Sequence, residues 1–65
     1  MRIILNGEPR EVTATRLSDL MEELGFAGAK VATAVNEDFV AIGARANITL
    51  IDGDRLEILA PMQGG

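Results

Sequence analysis

The sequence contains neither cysteine nor histidine in its 65 residues, and this absence limits both how the chain can fold and what it can do. A domain of this length buries only about 60% of the surface that its unfolded chain exposes, so domains of this size often add disulfides or a metal ion. Here the residues that form disulfides and structural zinc sites are missing. Regular packing of secondary structure must therefore stabilise one small domain.

The same absence argues against catalysis by the chain itself. Cysteine and histidine are the commonest nucleophile, general base and zinc ligands, so only serine, threonine, lysine and carboxylate side chains remain. Ten acidic and six scattered basic residues give a net charge of −4, which predicts no binding to nucleic acid or to a membrane. The apolar runs are too short for a signal peptide or a membrane span, which favours a cytoplasmic protein.

The first twelve residues predict a β-hairpin. Asn6-Gly7 separates the β-prone run Met1 to Leu5 from Glu8 to Val12, and both turn residues tolerate positive φ. Pro9 has no N–H group for a hydrogen-bonded ladder. We therefore expect the second strand to lie at an edge of the sheet.

The next segment predicts one short amphipathic helix. Apolar residues recur at intervals of three and four from Leu17 to Leu24. Gly25 follows at the position of a left-handed C-cap, and Thr15 is the candidate N-cap. Glu22 and Glu23 fall on the opposite face, where we expect them to be solvated charges.

The second half of the chain predicts the remaining strands. Asp52-Gly53-Asp54 joins Ile48 to Ile51 with Arg55 to Ala60, which predicts a second hairpin-like pairing. Gly53 supplies positive φ, and we expect the aspartates to bond local backbone because a calcium ion takes six to eight oxygens. The other predicted segments are a strand at Val31 to Val35, a short apolar stretch from Phe39 to Ile42, and irregular chain through Asn47.

The order strand, strand, helix, strand, short strand, strand predicts an α+β fold. It suits one mixed sheet of about four to five strands with the helix packed across one face, which is the β-grasp. The first and last strands would lie parallel at the centre, because the helix provides the long crossover that parallel neighbours need. We expect this domain to span residues 1–60, with residues 61–65 as a flexible tail that Pro61 directs away from the sheet.

With this order of elements, the residues resemble the ThiS family, the sulfur carrier proteins of thiamine synthesis. They resemble more distantly ubiquitin and the small subunit of molybdopterin synthase (MoaD). The likeness spans nearly the whole chain. The segments that carry it are Ile3 to Glu8, Leu17 to Leu24, Val35-Asn36, Asp52 to Ile58 and the terminal Gly64-Gly65.

The chain departs from the pattern of the family at two positions. Glu37 follows Asn36, where the family often has a glycine, and Arg16 stands where the family often has a helix-capping threonine. Both departures concern local loop and cap geometry and leave the tail unchanged.

The resemblance implies a ubiquitin-like β-grasp and a reactive C-terminal carboxylate at Gly65. In such proteins a ThiF-type enzyme adenylates this carboxylate with ATP. A sulfur donor, such as a cysteine desulfurase, then converts it to a thiocarboxylate for a ThiG-type thiazole synthase. The chain would be a protein cosubstrate without a cofactor, not an enzyme. Met62, Gln63 and Gly64 would be the tail residues that partners recognise, and glycines without Cβ can enter a narrow channel.

Alternation along the last strand predicts a docking surface beside this tail. If Leu56 and Ile58 face the core, Leu59 points to the open face of the sheet. Ile4 of the first strand points the same way if Ile3 is in the core. We therefore expect Leu59 and Ile4 to form one exposed apolar patch that docks the activating enzyme.

Three alternative functions remain open at this stage. The chain could be the small subunit of molybdopterin synthase, although its compact length and its Leu5 to Glu8 segment favour the ThiS family. It could be a protein modifier that is joined to lysine side chains. Lys30 is its only lysine, so chains of the modifier itself would have a single acceptor side chain. It could also be a plain β-grasp interaction domain, whose binding would not depend on Gly65.

Overall fold

The computed structural model describes residues 1–60 and confirms one mixed sheet with one α-helix. The sheet has the order β2-β1-β5-β3-β4, and β1 and β5 run parallel at its centre. The predicted β-grasp is therefore confirmed, whereas the predicted boundary between residues 60 and 61 remains a prediction. The elements are β1 (Arg2–Leu5), β2 (Glu8–Glu11), α1 (Leu17–Glu23), β3 (Ala32–Val35), β4 (Asp38–Val40), a 3₁₀ helix (Ile42–Asn47) and β5 (Arg55–Leu59).

The first hairpin forms as predicted. Leu5 pairs with Glu8, and the two residues between them have φ values of 49° at Asn6 and 86° at Gly7. Positive φ at both central residues matches the right-handed twist of the flanking strands. β2 lies at an edge of the sheet and carries Pro9, so the missing N–H group costs no central ladder bond.

The helix packs its predicted apolar stripe into the core. Leu17, Leu20 and Met21 are buried. A Schellman motif ends the helix: the N–H of Phe26 donates to the Met21 carbonyl at 2.7 Å, and Gly25 has a φ of 89°. The prediction of Gly25 as the left-handed C-cap residue is confirmed.

The predicted N-cap at Thr15 is wrong. The residue at the cap position is Arg16, which has extended backbone and makes no side-chain cap bond. Instead, the Thr15 carbonyl accepts the N–H of Leu50 at 2.8 Å, and the N–H of Leu17 donates to the Ile48 carbonyl at 2.8 Å. A neighbouring backbone segment thus satisfies the first free N–H of the helix, so a capping side chain is not needed there.

That neighbouring segment corrects a second prediction, the strand from Ile48 to Ile51. It contributes only an isolated bridge between Thr49 and Arg16, and it does not pair with β5 in residues 1–60. Both edges of β5 are already occupied, by β1 on one side and β3 on the other. A strand from 48 to 51 therefore has no free edge of β5 to join.

Both aspartates of the turn before β5 accept backbone N–H groups, but only Asp54 bonds local backbone as predicted, because Arg2 is 50 residues from Asp52. Asp52 accepts the N–H of Arg2 at 2.7 Å, and Asp54 accepts the N–H of Ile51 at 2.9 Å. Asp54 also accepts the side-chain amide of Asn36 at 3.0 Å, and Gly53 has a φ of 90°. These carboxylates fix the backbone that leads into β5.

Glu23 differs from the expected solvated charge. Its carboxylate is exposed, yet it accepts the backbone N–H groups of Thr13 and Ala14 at distances from 2.8 to 3.2 Å. The hydrogen bond from Ala14, and then that from Thr13, lowers the pKa of Glu23 from its ordinary value of 4.5. Glu23 thereby ties the loop after β2 to the end of α1. The carboxylate of Glu22 makes no hydrogen bond or ion pair with the described residues.

The core lies between α1 and one face of the sheet. Ile3 of β1 and Leu56 of β5 are fully buried, and Leu50 packs against them from the loop before β5. Within residues 1–60, no helix is long and apolar enough to cross a membrane. The buried apolar residues within this described range are Ile3, Val12, Leu17, Leu20, Met21, Val40, Leu50, Leu56 and Ile58.

Candidate functional site

The side chain of Asn6 holds the last part of β5. β1 ends at Leu5, but the Oδ1 atom of Asn6 accepts the N–H of Ile58 at 2.8 Å, and its Nδ2 atom donates to the Ile58 carbonyl at 3.2 Å. The backbone N–H of Asn6 also donates to the Leu56 carbonyl at 2.9 Å. One side chain therefore continues the ladder beside β5 where β1 has no further residues.

β3 fixes the other side of the same strand. Ala32 pairs with Leu59, and Thr33 pairs with Ile58. The backbone of β5 is thus positioned through its final residue, and Ala60 follows directly. The predicted tail residues Met62, Gln63, Gly64 and Gly65 lie outside the described residues, so their roles remain predictions.

The register predicted for β5 is confirmed. Leu56 and Ile58 are buried, whereas Leu59 is 61% exposed on the open face of the sheet. Alternating residues of a strand point to opposite faces, so Arg55 and Glu57 share the face of Leu59. Both are exposed, as the alternation requires.

The single patch predicted for Ile4 and Leu59 is wrong. In the parallel pairing of β1 and β5, Ile4 lies opposite Arg55, at the beginning of β5. Leu59 is four residues farther along that strand, or about 13 Å at about 3.3 Å per residue. β1 ends opposite the first part of β5 and does not reach Leu59, so Arg55 and Glu57 separate the two apolar side chains.

Leu59 instead borders a groove of about 720 Å³, whose lining includes Phe39 and Leu59 of the open face together with the buried Val40 and Arg45. Large apolar side chains that are mostly exposed in residues 1–60 are Phe39 (73%), Ile42 (68%), Ile51 (69%) and Leu59 (61%). Phe39, Ile42 and Leu59 all line this groove, and Ile51 does not. We name it the Phe39 groove. Ala60 also lines it, so the groove adjoins the point from which the tail continues.

Two basic residues, Lys30 and Arg45, also line the Phe39 groove. Arg45 is only 8% exposed, and its Nε atom donates to the Thr33 hydroxyl at 3.1 Å. Its Nη2 atom donates to the Val31 carbonyl at 2.7 Å, while the Thr33 hydroxyl donates to the Val40 carbonyl at 2.8 Å. These partners of the guanidinium are neutral. Within residues 1–60 it forms no ion pair.

Sequence reasoning missed Arg45, because it lies in a segment expected to be irregular and is one of six scattered basic residues. A weak signal was present in Thr33. The alternation of β3 places Thr33 on the core face, and a buried hydroxyl needs a hydrogen-bond partner. That partner need not be close in sequence, so the pattern does not identify Arg45.

Comparison with known proteins identifies the family. The sequence model of the ThiS family matches residues 3–65. The chain is 39% identical to the sulfur carrier protein ThiS of Thermus thermophilus, over 94% of this chain and 95% of that protein. It is 38% identical to a thiazole synthase of Paramagnetospirillum magneticum, and it spans only 20% of the length of that relative.

The fold leads to the same family. The crystal structure of a thiamine biosynthesis protein (ThiS) from Geobacter metallireducens superposes with a TM-score of 0.83 and 30% sequence identity, over all of both chains. The family match, the similarity to a relative of nearly equal length and this structural agreement all point the same way. The chain belongs to the ThiS family.

Proposed function

We propose that this chain is a sulfur carrier for thiamine synthesis and that Gly65 carries the sulfur as a C-terminal thiocarboxylate. The observation that carries this proposal is the family match, which extends through the terminal Gly64-Gly65. The similarity to the Thermus sulfur carrier covers nearly all of both proteins. The fold supports the proposal because it fixes β5 up to the residue before Ala60.

The chemistry requires activation by a partner. A terminal carboxylate has a pKa near 3.5, so at neutral pH it is an anion that nucleophiles attack poorly. In an activating enzyme of the ThiF type, a carboxylate oxygen attacks the α-phosphorus of ATP, and pyrophosphate leaves. The resulting acyl adenylate has AMP as a leaving group that a sulfur nucleophile can displace.

A cysteine desulfurase supplies sulfur as a persulfide. Attack by its terminal sulfur releases AMP and forms an acyl disulfide, and a thiol then reduces this disulfide to the thiocarboxylate. The net change at Gly65 is the exchange of one oxygen for one sulfur. Because the activation consumes ATP, we expect the reaction to take place in the cytoplasm.

The acceptor in this proposal is a ThiG-type thiazole synthase. The relatives of Paramagnetospirillum magneticum and Magnetococcus marinus are named thiazole synthase, and each contains a segment similar to this entire chain. That segment is 20% of each relative, so a carrier-like unit and a much longer remainder occur in one polypeptide. This arrangement supports a direct transfer from the carrier to the synthase. The chain would act as a cosubstrate, and its partners would perform the catalysis.

The test is reconstitution followed by intact mass spectrometry. The purified chain is incubated with its cognate activating enzyme, ATP, a cysteine desulfurase, cysteine and a thiol reductant. We expect a mass increase of one oxygen-to-sulfur exchange, located in the C-terminal peptide. A chain that keeps its original mass under turnover would contradict the proposal. In cells, deletion of the gene should create a requirement for thiamine, whereas loss of molybdoenzyme activity alone would indicate the molybdopterin pathway.

A further inference from the structure

We propose that the Phe39 groove binds the thiazole synthase, and that the segment of the synthase in the groove is apolar and carries an acidic side chain. This inference rests on the proposed function, because it names the surface and the partner chemistry used by the same carrier. The proposed surface differs from the predicted patch of Ile4 and Leu59, because it includes Leu59 and does not include Ile4.

The distribution of exposed apolar side chains supports a binding role for the groove. Phe39 and Leu59 lie on the open face of the sheet, and Ile42 begins the 3₁₀ helix after β4. β3 lies between β4, which carries Phe39, and β5, which carries Leu59. Ala32 of β3 lies opposite Leu59 and lines the groove. A small residue flanked by large exposed ones creates a concave apolar surface. Such clustering is more than the isolated surface apolar residues that are ordinary in soluble proteins.

The charges of the groove indicate what its partner carries. The whole chain has a net charge of −4, yet the charged residues that line the groove are Lys30 and Arg45. Arg45 is largely buried, and its described partners are a hydroxyl and a carbonyl, so its positive charge is not compensated by a carboxylate within residues 1–60. Both cations would attract a carboxylate that a partner brings into the groove, and more strongly once the partner excludes water.

The position of the groove indicates which partner it receives. Ala60 lines the groove, so a protein bound there contacts the carrier directly beside the start of its tail. In the two thiazole synthase relatives, a segment similar to this chain is covalently joined to the remainder of the protein. A carrier-like unit and a longer remainder thus occur together in those relatives, and the Phe39 groove, beside the start of the tail, is the candidate surface for the contact of carrier and synthase in this protein.

The apolar part of the inference is tested by calorimetric titration of the cognate thiazole synthase with the full chain. Ile42→Asp places a charge in the groove, and Ile51→Asp makes the same change at an equally exposed residue outside it. We expect Ile42→Asp to weaken binding by about tenfold or more, and Ile51→Asp to change it by less than about twofold. Circular dichroism checks that both variants fold. Equal binding by the two variants, or no binding by the unmodified chain, would overturn the inference.

The acidic part is tested by charge reversal and salt. Lys30→Glu reverses a cation of the groove, and Arg10→Glu makes the same change on β2, at the opposite edge of the sheet from β4. We expect Lys30→Glu to weaken binding several-fold and to reduce its salt dependence, while Arg10→Glu leaves both nearly unchanged. If Lys30→Glu binds as the unmodified chain does, the partner segment carries no acidic side chain at this edge.

Failure of this inference is distinguishable from failure of the proposed function. The intact-mass experiment measures sulfur addition at Gly65 and does not use the thiazole synthase. If the unmodified chain gains sulfur but Ile42→Asp binds the synthase normally, only the groove assignment is wrong. If Ile42→Asp instead loses sulfur addition and keeps normal binding to the synthase, the groove serves the activating enzyme, and the inference is again overturned. If the unmodified chain gains no sulfur, the proposed function itself fails.

Discussion

The amide side chain of Asn6 hydrogen-bonds both the N–H and the carbonyl of Ile58, at 2.8 and 3.2 Å. Asn6 stands in the turn after β1, and Ile58 is the next-to-last residue of β5, 52 residues later. This pair connects the first turn of the chain with the strand that carries the tail. On the side of β1, this one side chain holds the end of β5, while β3 pairs with the other side.

Asn6→Gly should therefore loosen the end of β5. Glycine tolerates the φ of 49° but removes both side-chain hydrogen bonds, so we expect a loss of about 1–2 kcal/mol in the free energy of unfolding. Denaturant unfolding measures that loss, and hydrogen exchange should be faster at the Ile58 amide. Gly7→Ala is the control, because it strains the same turn without removing these bonds. Unchanged exchange at Ile58 in Asn6→Gly would contradict the role of Asn6.

Glu37→Gly should stabilise the protein. Glu37 has a φ of 74°, and left-handed backbone costs a residue with a Cβ atom about 1–2 kcal/mol. Glycine avoids this cost, but its greater flexibility in the unfolded chain offsets part of the gain. The ion pair that is lost, with Arg55 at 3.7 Å, is exposed on both sides and contributes little. We expect a gain of up to about 1 kcal/mol in the free energy of unfolding.

The matched control for this change is Glu37→Gln, which removes the charge and keeps the strained backbone. It should unfold within about 0.5 kcal/mol of the unmodified chain. If Glu37→Gly unfolds no later in denaturant than Glu37→Gln does, backbone strain at this turn is not significant.

The stability contributed by Glu23 should depend on pH. Its pKa is lowered in the folded protein by the N–H groups of Ala14 and Thr13, so the folded state favours the ionised carboxylate. This contribution is fully present above the unfolded pKa, near 4.5, and it is lost as the pH falls through the lowered folded pKa. Glu23→Gln should therefore be less stable than the unmodified chain at neutral pH, with a difference that shrinks in acid.

Urea unfolding at a series of pH values measures that difference. Glu22→Gln is the control, since Glu22 is the adjacent acidic residue and its carboxylate makes no hydrogen bond or ion pair with residues 1–60. We expect its unfolding curves to follow those of the unmodified chain. A difference for Glu23→Gln that stays constant from neutral to acid pH would show that the hydrogen bonds from Thr13 and Ala14 contribute no pH-dependent stability.

Removal of Gly65 should abolish sulfur addition without loss of stability. The carboxylate would then belong to Gly64 and lie one residue short of its place in the activating enzyme. We expect the melting temperature to be nearly unchanged, because the segment beyond Pro61 is predicted to lie outside the core. Intact mass spectrometry and thermal unfolding measure the two effects. Retained sulfur addition would contradict the assignment of Gly65, and a large fall in melting temperature would show that the tail is structural.

The parts of the fold that sequence analysis predicted correctly are determined by nearby residues. The Asn6-Gly7 turn and the Gly25 cap follow from residues that accept positive φ, and the alternation of Leu56 and Ile58 follows from the pleat of a single strand. These features do not require knowledge of which elements become neighbours.

The errors concern partners that lie far apart in sequence. Ile48 to Ile51 has the composition of a strand, but β1 and β3 already occupy both edges of β5. Whether Ile4 and Leu59 form one patch depends on the register between the parallel strands β1 and β5. The alternation within each strand does not determine that register. The site that the sequence missed, Arg45 in the wall of the Phe39 groove, also depends on contacts across 12 to 14 residues.

The central position of β5 determines how the carrier responds to mechanical load. A pull applied to the end of β5 along its axis would load the hydrogen bonds to both neighbouring strands. The hydrogen bonds to β1 and β3 lie across that axis, so they resist in shear and share the force instead of opening one after another. A tail that followed an edge strand such as β4 could be peeled from one side. If a partner pulls on the tail as the proposed function requires, this geometry would help the domain behind it to stay folded.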